Sequence, residues 1–373
     1  MQQRLTVAVP WSLSQYIPLN GFTPLYKALF DHAPENVSFS AWDNVKLCRK
    51  LRGNVSIQKK LVDRAKREEC HLNGLAEGSI ARQYQEYFWP PNQVLTAALA
   101  GNIEFYHTAP LPSLKRPFIL HCESFAPVFI PFVRGWNGSI GNHEGLREHY
   151  REILSHPLCL GIFSHVPETL RAFSLFFSDP VIDSKLFPSR TGLSAEAFLD
   201  HDPEQKPPLS RPRFLFINSS NQNVANFFHR GGHLVLRFWK RFTASGRDGL
   251  LILRCGKPGD MELRKYGVDV SWVNAEIGRS IIWAQDYLAR HEMNSLMANA
   301  HFFLLPSASL HSTSLMEAMR AGTIPVVSNT VGTSVYVNDE EHGILLHGMG
   351  REPWHKDEAT AALGGGYCQG EER

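Results

Sequence analysis

The chain has no Cys-x-x-Cys pair, no Cys/His cluster at metal-ligand spacing, and no apolar run near the roughly 18 residues of a membrane span. These absences exclude a zinc ribbon, a disulfide scaffold and a helical membrane anchor within the sequence. Its six cysteines, Cys48, Cys70, Cys122, Cys159, Cys255 and Cys368, are scattered, which fits free thiols in a reducing compartment. Charge of one sign is also lacking. The 38 basic and 36 acidic residues leave a net charge of +2, so no global field recruits nucleic acid or an anionic membrane, and an anionic ligand must be held locally. There is no low-complexity tract and no short-period repeat. The opening "MQQRLTVAVPW" reads directly as a strand without the pattern of a leader, so the expected location is cytoplasmic and the Asn-x-Ser matches at Asn36, Asn54, Asn137 and Asn218 read as chance.

What is present is an alternation of strands and helices. At 373 residues the chain exceeds the usual single core, so two domains are expected. "RLTVAVPW", "NIEFYHT", "RPFILHCE" and "LCLGIFSH" read as strands and "FTPLYKALFDH" as a helix. Residues 201–212, "HDPEQKPPLSRP", break the pattern with four prolines, as a linker does. After them "RFLFINSS", "GLLILRC", "HFFLLPS" and "TIPVVS" read as strands, and "GGHLVLRFWKRF", "RHEMNSLMANA" and "STSLMEAMRAG" as helices. The fold class is therefore α/β, with two Rossmann-like doubly wound domains: residues 1–200, a linker at 201–212, residues 213–350, and a short tail at 351–373. Within the tail only "HKDEATAAL" has the makings of about two helical turns. Sheets of this kind bind ligands outside the carboxyl ends of their strands.

One stretch, "LLPSASLHSTSLMEAMRAGTIPVVSN", carries the most chemistry. A strand runs into a hydroxyl-rich turn holding Ser307, Ser309, Ser312 and Thr313, and a helix follows from about Ser312 with a single carboxylate, Glu317, near its second turn. Backbone N–H groups at a helix start form an anion site, and a carboxylate at its rim can accept the hydroxyls of a ribose. The alternative is capping, with Ser or Thr closing the helix and no ligand involved.

Pro306-Ser307, Glu317-Ala318-Met319, Gly322, Pro325-Val326-Val327 and Gly343-Ile344-Leu345 match, in order, the donor-site signature of retaining glycosyltransferases. The segment from about Phe214 to Leu346 thus resembles glycosyltransferase family 4, the group 1 glycosyltransferases, whose two Rossmann-like domains face a cleft in the GT-B fold. The first 200 residues agree with that family in architecture only. The resemblance implies a nucleotide-diphosphate sugar as donor, bound by the second domain, and a glycan, lipid-linked or small-molecule acceptor bound by the first. It implies retention, with no metal, no cofactor beyond the co-substrate and no nucleic-acid partner.

Residue by residue, the resemblance makes Glu317 the ribose ligand and Arg230, in Arg230-Gly231, the cation on the diphosphate. Gly231-Gly232 would let a ligand approach the backbone closely. Ser309 stands where the family carries a first glutamate against the donor sugar, and His311, Ser312 and Thr313 share that turn. The family's second cation is missing: Asn218 and Ser219 occupy its place, with Arg254 the nearest substitute and a surface ion pair the other reading of Arg254. In the first domain His121 resembles a histidine beside the donor sugar, Gly21 lies where relatives approach the diphosphate, and Glu123 reads as a satisfied structural group. Asp200-His201-Asp202 imitates a metal motif but falls in the linker. Base selection is expected in loop backbone near "SIIWAQDYL". A nucleotide-sugar 2-epimerase of the same fold and a non-catalytic sugar-nucleotide binder are the other readings.

Overall fold

A computed structural model describes residues 4–9, 24–41, 96, 99–107, 110, 112–125, 128, 143–194, 206–218, 226–286, 288–307 and 309–347, with the backbone of 354–356 and 363–365. Gly21, Ser219 and Asp200-His201-Asp202 lie outside these residues. The chain divides into two compact units, residues 1–192 with 353–367, and residues 193–352 with 368–373.

The first unit is built on a sheet of β1 (Leu5–Ala8), β2 (Val37–Ser40), β3 (Ile103–His107), β4 (Phe118–His121), β5 (Cys159–Ser164) and β6 (Leu186–Pro188), ordered β2-β1-β3-β4-β5-β6. Every pairing is parallel. The order reverses between β1 and β3, which makes that seam the switch point of the sheet. The helix His143–Ser155 and the helix Pro167–Phe177 bury their apolar stripes in one cluster with Phe118, Leu120 and Ile162. The "AFSLFF" stretch places Phe173, Phe176 and Phe177 in that core. A carboxylate inside this unit is fully compensated: Glu104 accepts from Arg116 Nε at 2.8 Å, Tyr106 Oη at 2.7 Å and the Ser113 backbone and hydroxyl. Burying a charge is tolerated only with such a set of partners.

The second unit repeats the plan with β7 (Arg213–Ile217), β8 (Leu250–Arg254), β9 (Ile281–Ala284), β10 (Phe302–Leu305), β11 (Ile324–Ser328) and β12 (Ile344–Leu346), all parallel, in the order β12-β11-β10-β7-β8-β9. Counted from its own first strand this is 3-2-1-4-5-6, the dinucleotide-fold order, with its switch point between β7 and β10. The amphipathic helix Gly232–Ala244 buries Val235, Leu236 and Trp239 on one side of the sheet. Trp239 is fully buried and its indole N–H reaches Ser280 Oγ at 3.1 Å, so Trp239→Ala removes about 3–5 kcal/mol of packing.

The "SIIWAQDYL" stretch begins as the edge strand β9, with Ile281 a buried β-former pairing with Leu251, and leaves the strand after Ala284. Two expectations change here. The described part of the Pro-rich linker is pinned to the second unit: Lys206 Nζ donates to the carbonyls of Ala298 and Ala300, and Pro207 O accepts from His301 Nε2 at 2.8 Å. In the tail, Trp354–Lys356 and Leu363–Gly365 pair as antiparallel strands, so no helix starts at His355. The Gly-rich end of that stretch is a poor helix former.

Candidate functional site

At the switch point of the second unit, β7 ends at Ile217 and β10 runs out through Pro306 and Ser307. A short helix, Asn226–His229, leads to Arg230 and then to Gly231, which caps the helix Gly232–Ala244 in the left-handed conformation at φ +79°. A Cβ on Gly231 would stand 2.1 Å from the Pro306 carbonyl oxygen. The glycine therefore admits the end of β10, and Gly232 packs in the same way against the Phe227 ring. The chain itself makes a close approach at this pair, a use of the glycines in addition to the ligand approach expected from the sequence.

That approach holds Arg230 at the seam. Its guanidinium donates to Ile217 O at 3.4 Å, and the residue is only 8% exposed. Burial, with the Arg230 charge as second cause, pushes the His311 imidazole well below its usual range, so His311 is neutral near pH 7. Ser309 Oγ lies 3.4 Å from His311 Nε2, and the Ser309 N–H donates to Ser307 Oγ at 3.3 Å. Arg254 closes β8 and is 4% exposed, which overturns the surface ion pair considered for it; one of its terminal N–H groups donates to Asn218 O at 3.3 Å. The Asn218 Oδ1 is buried without a hydrogen bond among the described residues.

The helix Ser312–Arg320 begins as expected, and its end explains one signature residue. Gly322, at φ +69°, donates to Met319 O while Thr323 donates to Ala318 O, the left-handed closure that favours glycine. Its start does not follow the capping alternative. His311 occupies the cap position and makes no side-chain cap bond, while Ser312 is the first helical residue. Ser307 and Ser312 are buried and Thr313 is half-buried.

Glu317 is 5% exposed, and Arg290 pairs with its Oε1 at 2.5 Å. Burial raises the carboxyl's pKa and Arg290 works against that rise. Sequence reasoning missed Arg290, which starts the helix Arg290–Ala298 and is itself 46% exposed at the side chain. Its distance in sequence, 27 residues from Glu317, leaves no local pattern to read.

The first unit gathers a different set at its own strand ends. His107 closes β3, His121 closes β4 and His165 follows β5. Tyr26, from the helix Pro24–Asp31, places its hydroxyl 2.5 Å from His107 Nδ1 and 2.7 Å from His121 Nδ1. His121 Nε2 lies 3.3 Å from His165 Nδ1, and His165 Nε2 lies 3.6 Å from Glu123 Oε1. Burial, reinforced by the neighbouring imidazoles, lowers His121 to about 3; burial lowers His107 to about 4. Glu123 Oε1 is buried and has no hydrogen bond among the described residues, so Glu123 is not the satisfied structural group expected. Among the described residues no group of three or more His, Cys, Asp or Glu could hold a metal ion.

Two parallel doubly wound sheets, with polar groups collected at the switch point, define the class of the molecule: it has the GT-B fold. Solved structures agree. An α,α-trehalose-phosphate synthase (UDP-forming) from Burkholderia vietnamiensis matches with a TM-score of 0.53 at 12% identity, over 93% of this chain and 86% of that one. The α,α-trehalose 6-phosphate synthase of Burkholderia multivorans matches with a TM-score of 0.52 at 11% identity, over 92% and 87%. More particularly, residues 233–353 match the family described as Glycosyl transferases group 1. No curated protein sequence matches the chain. No helix among the described residues is long and apolar enough to cross a membrane.

Proposed function

We propose that the chain transfers a sugar from a nucleoside diphosphate sugar to an acceptor, with retention at the anomeric carbon and without a metal, as a glycosyltransferase family 4 enzyme. One observation carries the reading: Arg230, the uncapped start of the Ser312–Arg320 helix and the buried Glu317 are all set around the switch point of a dinucleotide-type sheet. In this reading Arg230 and the helix N–H groups hold the diphosphate, where negative charge grows as the sugar leaves. Glu317 accepts from the ribose hydroxyls, and Arg290 keeps that buried carboxylate ionised. Arg254 supports the diphosphate from the end of β8. Ser309, His311, Ser312 and Thr313 meet the donor sugar in place of the family's first glutamate. The first unit binds the acceptor and reaches the donor at two places, His121 beside the donor sugar and Gly21 toward the diphosphate. As the C1–O bond to the diphosphate breaks, the acceptor oxygen bonds to C1 on the same face, and its proton passes to the departing phosphate.

The test is product analysis on the full chain with ADP-, GDP- and UDP-sugars and a mixture of polyhydroxylated acceptors, with and without EDTA. A new glycosidic bond of the donor's anomeric configuration, formed equally with chelator, is the expected outcome. Inversion at C2 without transfer identifies the 2-epimerase reading. Thermal protection by nucleotide sugar with no turnover identifies a non-catalytic binder. Activity lost with EDTA and restored by Mg²⁺ contradicts metal independence.

A further inference from the structure

Two carboxylates of the first unit stand in opposite conditions. Glu104, fully buried on β3, accepts hydrogen bonds from Arg116, Tyr106 and Ser113. Glu123, two residues past the end of β4, has a buried Oε1 that accepts none among the described residues. His165 Nε2 lies 3.6 Å from that oxygen, beyond hydrogen-bond reach. The side chain is nevertheless 27% exposed, so a ligand reaches the carboxylate from its open side. A buried carboxylate oxygen without a donor is costly, and such a group calls for a partner or a role.

The backbone under this side chain is fixed. β4 pairs with β5 as far as His121 opposite Phe163, and the Cys122 N–H extends the ladder by donating to Phe163 O at 2.9 Å. Thr169, buried in the first turn of the helix Pro167–Phe177, then donates its hydroxyl to Glu123 O at 2.9 Å. A strand end tied to its neighbours thus presents a carboxylate oxygen that the described residues leave unsatisfied. It does so at the carboxyl edge of a doubly wound sheet, where such folds bind ligands. What completes a carboxylate is a donor, a hydroxyl or an amine.

We propose that Glu123 is an acceptor-binding residue, its carboxylate accepting a hydrogen bond from a hydroxyl of the acceptor. The assignment rests on the glycosyltransferase reading and deepens it. In that reading the reacting hydroxyl gives its proton to the departing phosphate, so the hydroxyl held by Glu123 is a second one. The acceptor therefore carries at least two hydroxyls, and Glu123 sets which of them faces the donor sugar.

Steady-state kinetics on the full chain test this, with ADP-, GDP- and UDP-sugars as donors and monosaccharides and their monodeoxy derivatives as acceptors. Glu123→Ala should raise the acceptor KM by about 10-fold or more, the loss of one hydrogen bond to a charged group, while calorimetry finds nucleoside diphosphate affinity unchanged. Glu123→Gln, the same shape without the charge, should fall between, and it carries the test if the alanine variant does not fold. One monodeoxy acceptor should lose as much on the native protein and nothing further on the variants. An unchanged acceptor KM in folded variants overturns the proposal. So does a fall in kcat alone, which would make Glu123 a base for the reacting hydroxyl, or an equal loss of nucleoside diphosphate affinity. A native chain that transfers sugar to no acceptor overturns the glycosyltransferase reading and this contact with it, a failure seen before any variant is made.

Discussion

At the carboxyl edge of the first sheet β3 and β4 end in His107 and His121, held neutral by burial and by neighbouring imidazoles; the same edge of the second sheet gathers two guanidinium groups and a paired carboxylate around one neutral imidazole, His311. The backbones are built alike, six parallel strands with one reversal of order, so the contrast comes from a few residues at equivalent topological places. At the first edge an anion gains nothing from His107 or His121, whose imidazoles bear no charge near pH 7. The second carries two buried guanidinium groups, Arg230 and Arg254, and a helix start without a side-chain cap, the features the proposal assigns to an anion. A sugar nucleotide divides in the same manner, with an anionic diphosphate at one end and neutral hydroxyls at the other.

Removing the charge of the second edge should have the largest effect. Arg230→Ala is expected to lower kcat by roughly 100-fold or more, since negative charge on the leaving phosphate grows between the bound donor and the transition state. Steady-state kinetics on variant protein with native circular dichroism checks this. Near-normal turnover would transfer the role to Arg254 or to the helix start.

The first edge should break with acid. His107 and His121 titrate near 6.5 when unfolded, and at about 4 and about 3 when folded. Between those values the unfolded chain binds more protons, so the contribution of these groups is complete above about pH 6.5 and is lost as pH falls toward 4 and below. Hydrogen exchange at pH 7 and pH 4.5 should show β3 and β4 losing protection; in the second unit the turn carrying His311, also held low by burial, should follow them while β8 keeps its protection. Equal loss in both sheets would mean that the imidazoles do not govern the difference.

A smaller effect is expected at the carboxylate. Glu317→Gln should weaken nucleoside diphosphate binding by about 1–3 kcal/mol, the range for one charged hydrogen bond, with the melting temperature little changed. Calorimetric titration measures it, and unchanged affinity in folded protein would remove Glu317 from the site.

The smallest effect belongs to its partner. Arg290→Ala takes away the charge opposing the burial of Glu317, so the carboxyl titrates still higher. Affinity for nucleoside diphosphate should then fall more at pH 6 than at pH 8. A loss independent of pH would indicate that Arg290 contacts the ligand directly.

Much of this was legible in the sequence, for reasons that can be named. Buried parallel strands are apolar runs, so β3, β4, β5, β7, β8, β10 and β11 stand out, and helices such as Gly232–Ala244 show their stripe at helical spacing. The edge strand β9 is less legible, because its isoleucine pair beside Trp283 is short and runs at once into a polar continuation. Glu317 was visible because its helix, turn and strand are contiguous. Arg290 and the line of histidines were not, since parallel strands bring together residues far apart in the chain: His121 and His165 are separated by 44 positions. A signal did exist, for "NIEFYHT", "RPFILHCE" and "LCLGIFSH" each place a histidine at or just past a strand end. Gly231 was noticed for its freedom, but only the geometry shows that Pro306 uses it.

Everything proposed for the second unit depends on its switch point binding a nucleoside diphosphate. Hydrogen exchange of the full chain with and without ADP, GDP and UDP, with inorganic diphosphate as control, decides this. At least one nucleotide should slow exchange at residues 230–234 and 309–317, more than diphosphate alone, while the amides around His107 and His121 are unaffected. Protection confined to the first unit's strand ends, or none with any nucleotide at saturating concentration, would contradict it.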